Sequence, residues 1–215
     1  MQLIVVTSET LFEGEASALN MLFERGMSAL HIRKPQASDA ELRDLLLRIN
    51  AEFHDRIVLH DGFSLVGSFR LRGVHLNRRN PVRPPQAVAS VSRSCHSLNE
   101  VEQSRGFSYV FLSPVFNSIS KRGYAQAFTE KDLLAAKAKG VTGEKVVALG
   151  GVSVATIPLA AAYGFGGVAV LGALWGDYPQ RKDNRTLIRK FDELSYTVLV
   201  INKRAYSENS VNIEL

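Results

Sequence analysis

Short apolar runs alternate along this chain with stretches whose apolar positions recur at helical spacing. The clearest runs are Val146-Val147-Ala148-Leu149, closed by Gly150 and Gly151, and, sixteen residues after Gly151, Gly167-Val168-Ala169-Val170-Leu171-Gly172. Runs of this length without polar alternation read as strands buried on both faces, as in a parallel sheet covered by helices. Further strands are expected at Gln2 to Thr7, Ala29 to Arg33, Ile57 to His60, Gly73 to Leu76, Ser90 to Cys95 and Tyr109 to Leu112.

Helices are expected between them. One runs from Glu13 to Arg25, ended by Gly26, and one from Ser38 to about Phe53, opened by a capping box with Glu41. Phe63 to Phe69 is a short helix, and Ser97 with Glu100 caps another. Thr129 to Lys139, Val154 to Tyr163 and Asn184 to Leu194 complete the set. Pro81, Pro84 and Pro85 leave room only for a brief helix in their connection. The segment from Ser113 to Phe128 is long for a barrel loop, which points to function or disorder. Eight strand–helix units predict an α/β protein with one (β/α)8 TIM barrel over residues 1–195. Residues 196–215 form a C-terminal tail outside the alternation. Within it Tyr196 to Ile201 suits a strand or a helix, and Ser207 to Leu215 reads as loose polar chain. An appendage, a contact in a homo-oligomer and disorder all stay open for the tail.

Composition narrows the function. The 215 residues are 46% hydrophobic and 22% charged, enough for a single sizeable core. A net charge of +5 suits small anionic ligands, but the arginines are scattered and no basic run is interleaved with aromatics, so nucleic acid is not an expected partner. Cys95 is the sole cysteine, which rules out an internal disulfide and fits a reducing compartment. With no charged leader and no apolar stretch of membrane-spanning length, a cytoplasmic protein without a membrane partner is expected.

Four of the five histidines, His31, His60, His75 and His96, fall on or just past strands. Active sites of such barrels lie at the C-terminal ends of the strands. Alternation sets His31 and Arg33 on one face of strand two, and Ser92, Ser94 and His96 on one face of strand five. Imidazole at such a rim suits proton transfer. Zinc is the competing reading, but it needs three or four converging ligands; Asp61 is the nearby carboxylate, and Cys95 is expected to face away from His96. Arg33, Lys34, Ser118, Ser120 and Lys121 have the chemistry to hold phosphate oxygens. The glycine loops after strands seven and eight occupy the usual phosphate position of the fold; tight turns alone are the other account of those glycines.

Taken together the motifs resemble those of the thiamine phosphate synthase and TenI family, from Leu3 to about Trp175. The synthase Q-L-R-E-K motif is here His31-Ile32-Arg33-Lys34-Pro35, and the strand-three N-D is His60-Asp61. G-V-H-L-G-Q-x-D stands as Gly73-Val74-His75-Leu76-Asn77-Arg78-Arg79-Asn80, and S-x-H-T as Ser94-Cys95-His96-Ser97. G-P-V-F-x-T-x-T-K is matched by Ser113 through Lys121, and G-G-I and G-V-A-V by Gly150-Gly151-Val152 and Gly167 to Val170.

The resemblance implies two chemistries. A synthase joins a pyrimidine diphosphate to a thiazole phosphate, with magnesium held by two Asp residues. At those positions stand Asp61 and Asn80, the second a poor magnesium ligand. TenI instead shifts a double bond of a thiazole carboxylate phosphate, a cofactor-free isomerisation in which the histidine at the position of His96 is implicated. The expectation is a thiamine-biosynthesis enzyme acting on a thiazole phosphate, with tautomerase chemistry favoured. His96, Arg33 and Lys121 are its expected catalytic residues. His31, Lys34, His60, Ser94, Ser118, Ser120, Gly150, Gly151, Val170 and Gly172 are the expected substrate contacts. The alternatives are an active synthase using magnesium at Asp61, and a non-catalytic binder of a thiamine intermediate.

Overall fold

The computed structural model describes residues 1–117 and 127–211, with side chains described as far as residue 207 in the last helix. Eight parallel strands close on themselves in sequence order, β1 (Gln2–Val6), β2 (Leu30–Ile32), β3 (Ile57–Leu59), β4 (Gly73–Leu76), β5 (Ser90–Cys95), β6 (Tyr109–Leu112), β7 (Val146–Leu149) and β8 (Gly167–Val170). The seam is β8 against β1, with Gln2 beside Gly167 and Val5 beside Val170. Around them lie α1 (Glu15–Glu24), α2 (Asp39–Arg48), α3 (Leu98–Glu102), α4 (Glu130–Ala138), α5 (Ile157–Ala162), α6 (Gly172–Trp175), α7 (Tyr178–Arg181) and α8 (Asn184–Val211). The chain is a (β/α)8 barrel, as its alternation predicts. No helix among the described residues is long and apolar enough to cross a membrane.

Strand alternation sorts the side chains into two cores. Val5, Leu30, Ile32, Leu59, Leu112 and Val168 face outward into the helix layer, which forms the larger cluster. Ile4, Val6, Ala29, Tyr109, Phe111, Val147 and Ala169 face the barrel axis. Both sets are buried, which is why the strands read as continuous apolar runs. The axial core is mainly apolar on the side of β6, β7, β8 and β1, with Ala29 before β2 and Val58 on β3 adding to it. Polar inward positions on β2 to β5 include His31, His75 and Ser92, joined by His60 just past β3.

Helix starts follow the expected chemistry. Ser38 and Glu41 form a reciprocal capping box at α2, and Thr129 and Asp132 form another at α4. The helix expected to reach Phe53 instead ends at Arg48, and a 3₁₀ segment covers Ala51–Arg56. Asn20 on α1 makes this break. Its amide donates to the Arg48 carbonyl (3.1 Å) and its oxygen accepts the Asn50 N–H (2.9 Å). The helix expected from Val154 begins at Ile157.

The largest departure lies at the C-terminus. The boundary drawn between residues 195 and 196 falls inside α8, a 28-residue helix that also takes in Ser207 to Val211. Its buried stripe, Leu187, Phe191, Leu194 and Val198, keeps helical spacing past the boundary, with Ile201 packed against the same core. Asn202 then clasps the chain start, accepting from the Met1 amino group at 2.5 Å and donating to the Met1 carbonyl at 2.9 Å. A chain ending at Ser195 is therefore expected to lose about 1.5–3 kcal/mol for the unburied Val198 alone. Urea unfolding measures this, and an unchanged midpoint would make the end of α8 a passive appendage.

Candidate active site

The C-terminal strand ends form the mouth, and its floor is a cluster of imidazoles. His31 Nδ1 lies 2.8 Å from His60 Nε2, and His31 Nε2 lies 2.6 Å from the Tyr109 hydroxyl. His75 places its two nitrogens on Ser92 Oγ (2.8 Å) and Ser94 Oγ (2.9 Å). His60 and His75 stack at 4.1 Å, and Phe111 packs against His31 at 4.7 Å and His75 at 4.6 Å.

Burial holds all three rings neutral. It pushes His31 and His60 well below the ordinary imidazole value, helped at His31 by His75 and at His60 by His75 and His31. Burial brings His75 to about 3. Tyr109 is raised, again chiefly by burial, and stays a phenol.

Ligand nitrogens of His31, His60 and His75 lie within 4.8 Å of one another, the spacing a metal reading requires. Two features oppose a common ion. The rings of His60 and His75 are only 17° from parallel, so their in-plane lone pairs do not converge. Both nitrogens of His31 and of His75 already have partners. The trio is built as a hydrogen-bonded core.

Several expected contacts are corrected by these positions. His31 is fully buried beneath the mouth, and His60 is nearly so. Ser94 was expected to help orient His96 but serves His75 instead. Val170 turns its side chain into the helix-facing core, because alternation points Ala169 rather than Val170 at the axis. Lys34 is 0% exposed and runs behind the rim, where its ammonium meets Glu15 at 2.6 and 2.8 Å and the Thr10 carbonyl at 2.9 Å. Burial raises the Glu15 pKa and lowers that of Lys34, each opposed by the other's charge. That ammonium is a structural group.

Asp61 closes the β3 end of the mouth. Its Oδ1 accepts from Arg79 Nε (3.1 Å), Arg79 Nη2 (2.8 Å) and Asn80 Nδ2 (3.1 Å), and its Oδ2 from the Lys34 N–H (3.1 Å). Asn80 also donates to the His60 carbonyl at 2.9 Å, so its amide is a donor on both contacts and offers no oxygen there. With one carboxylate, already paired to a guanidinium, these residues do not fit the magnesium that the synthase alternative would hold at Asp61, with Asn80 a poor second ligand. Arg33 stands at the end of β2, paired with Glu9 at 2.9 Å.

His96 is exposed just past β5, and its Nδ1 lies 3.0 Å from the Ser113 carbonyl. A carbonyl only accepts, so in the neutral ring the proton sits on Nδ1 and the lone pair on Nε2. Ser97 caps α3 as expected, but the Glu100 carboxylate reaches past it to the His96 N–H at 2.6 Å, tying the backbone of His96 in place.

Beyond β7, Gly150 (φ +92°) and Gly151 (φ +66°) are left-handed, and a Cβ on Gly151 would sit 2.3 Å from the Asn117 carbonyl. Backbone crowding by the β6 loop thus explains both glycines without a ligand. Gly172 opens α6 just past β8, the strand that pairs with β7 through Leu149 beside Ala169. Ser118, Ser120 and Lys121 lie outside the described residues.

Arg79, Tyr109 and Glu15 carry roles that sequence reasoning missed. The signal for Arg79 was present, since an arginine pair, Arg78-Arg79, sits directly before the position where Asn80 replaces a carboxylate. Tyr109 and Glu15 had no comparable signal.

The thiamine monophosphate synthase family model matches residues 3–174. A solved thiamine phosphate pyrophosphorylase from Bacteroides thetaiotaomicron is 36% identical, with a TM-score of 0.84 over 92% of this chain and 98% of that one. The thiamine-phosphate synthase of Lactiplantibacillus plantarum is 31% identical over 133 residues, 58% of this chain and 60% of that protein. That of Cronobacter sakazakii is 26% identical over 169 residues, 71% of this chain and 77% of that protein.

Two outcomes follow from the buried groups. Imidazole ordinarily titrates near 6.5 once exposed in the unfolded chain, which then binds protons that the fold refuses. The contribution is complete above about pH 6.5 and declines as pH falls toward the folded values. His75, at about 3, would alone remove about 2 kcal/mol by about pH 5. Urea midpoints at about pH 7.5 and about pH 5 check the slope, and a flat profile is the contrary result. Separately, Lys34→Met leaves Glu15 buried without its partner and is expected to cost about 3–5 kcal/mol of stability. Anion affinity measured on the folded fraction should not change; a loss of affinity without a loss of stability would return Lys34 to the ligand site.

Proposed function

The chain belongs to the thiamine monophosphate synthase family, and on that premise we propose that it acts on a thiazole phosphate as a tautomerase, with His96 moving the proton. The observation that carries this reading is the His96 tautomer. Nδ1 is held as a donor by the Ser113 carbonyl, so Nε2 presents a lone pair at an exposed rim. A base so placed takes a proton from the ring carbon of a thiazole carboxylate phosphate, and the bond's electron pair shifts into the conjugated system. The imidazolium then returns the proton at the exocyclic carbon, leaving an aromatic thiazole and the imidazole it began with. No metal or redox partner enters the balance.

The phosphate would rest where the loops after β7 and β8 adjoin, at Gly151 and Gly172, the usual anion position of this fold. Arg33 and Lys121 are the charged residues assigned to the same ligand.

A second reading is favoured by the names of the relatives, which are those of synthases. In it the chain joins a pyrimidine diphosphate to the thiazole phosphate and releases pyrophosphate. Burial of Lys34 and the pairing of Asp61 with Arg79 weigh against it, because both remove groups that a magnesium diphosphate would use.

Purified protein is incubated with the thiazole carboxylate phosphate, and in parallel with the thiazole phosphate, the pyrimidine diphosphate and magnesium. Conversion in the first arm is expected, whereas thiamine phosphate in the second would put the synthase first. His96→Asn should lower the tautomerase rate by at least about 100-fold with ligand affinity little changed, as for loss of a positioned acid–base group. A folded variant turning over at the parent rate would falsify the mechanism.

A further inference from the structure

A buried carboxylate needs a counter-charge, and that of Asp61, 11% exposed, has the guanidinium of Arg79. Arg79 spends its Nε–H and one Nη2 hydrogen on a single oxygen of Asp61. Its other N–H groups remain on a side chain that is 40% exposed at the β4 end of the mouth. The carboxylate and the Asn77–Asn80 turn, closed by mutual backbone bonds of 3.1 Å, fix the direction of the fork. A divalent cation entering here would meet one neutralised carboxylate, the N–H side of the Asn80 amide and a guanidinium of its own sign. An oxyanion would meet oriented N–H donors of Arg79 that have no partner among the described residues. Arg33 follows β2 and is paired with Glu9 at 2.9 Å, and Arg79 follows β4 and is paired with Asp61 at 2.8 Å.

We propose that Arg79 takes the place of a divalent cation, making the β3–β4 side of the mouth a metal-independent subsite for a phosphate- or diphosphate-class oxyanion, separate from the phosphate position at Gly151 and Gly172. Asp61 is then the residue that orients the guanidinium. The inference rests on the mouth assigned above, but its readout is binding and not turnover. Failure of the tautomerase assay would therefore leave it standing, and the reverse also holds.

The test is calorimetric titration of inorganic pyrophosphate into the full chain, with EDTA and then with magnesium. Affinities within about threefold of each other are expected, and in EDTA both Arg79→Gln and Arg79→Lys should weaken binding by about tenfold or more, the scale of one charge-assisted fork. Arg79→Lys keeps the counter-charge of Asp61, so it also serves if Arg79→Gln folds poorly. The double variant Arg79→Ala, Asn80→Asp should regain a cation site. It is expected to bind manganese, read as loss of the free-ion resonance, while the parent chain leaves that resonance unchanged. No pyrophosphate binding by the parent chain, an affinity at least about tenfold higher with magnesium, or parent-like binding by Arg79→Lys would each overturn the proposal. So would manganese binding by the parent chain, or its absence in the double variant.

Discussion

The interior of this barrel is closed on one side by imidazole rings, and those rings can occupy it only as neutral, hydrogen-bonded groups. A charged imidazole at full burial would cost several kcal/mol unless paired, and no carboxylate is among the partners that His31 and His75 are given. The solution is mutual. His31 bonds His60 and Tyr109, His75 bonds two serines, and Phe111 fills the space over the rings. Strand placement depends on these bonds: His75 ties β4 to its neighbour β5, His31 ties β2 to the end of β3, and the His31–Tyr109 bond crosses the axis from β2 to β6.

That floor also divides the mouth. Polar positions from β2 to β5 set one half, where Asp61, Arg79 and Asn80 are joined by bonds that reach down to the His60 carbonyl. The other half is built on an apolar wall, with the glycine turns after β7 and β8 above it. His96 stands at the end of β5, held from both sides by the Ser113 carbonyl and the Glu100 carboxylate. The basic groups named at the β2 end have different fates. Lys34 is drawn behind the rim by Glu15, and Arg33 remains at the surface against Glu9. The charge available to a ligand is therefore smaller than the residue list suggests.

Much of the fold was legible in the chain. Val146 to Leu149 and Gly167 to Val170 announce themselves as doubly buried strands, and Ser38 and Thr129 announce helix starts, because period and capping are local properties. The run of α8 past Ser195 was legible too, in the spacing of Leu194, Val198 and Ile201, but it was masked by the polar residues between them. Of the candidate site, the position of His96 at a strand end could be read from strand five.

Partner choice could not be read. Alternation sets His31, His75 and Ser94 on inward faces, but which ring meets which hydroxyl depends on the stagger of four strands about the axis. Lys34 and Asp61 are ambiguous for the same reason. A long cation near a strand end can turn to the mouth or behind it, and Glu15, nineteen residues earlier, decides which. Sequence by itself determined the barrel, its capped helices and the ring of polar residues at its mouth, since these follow from short-range periodicity. Tertiary structure alone decided which charges stay free, because burying a charge costs more than any local preference and the pairing that relieves it comes from distant parts of the chain.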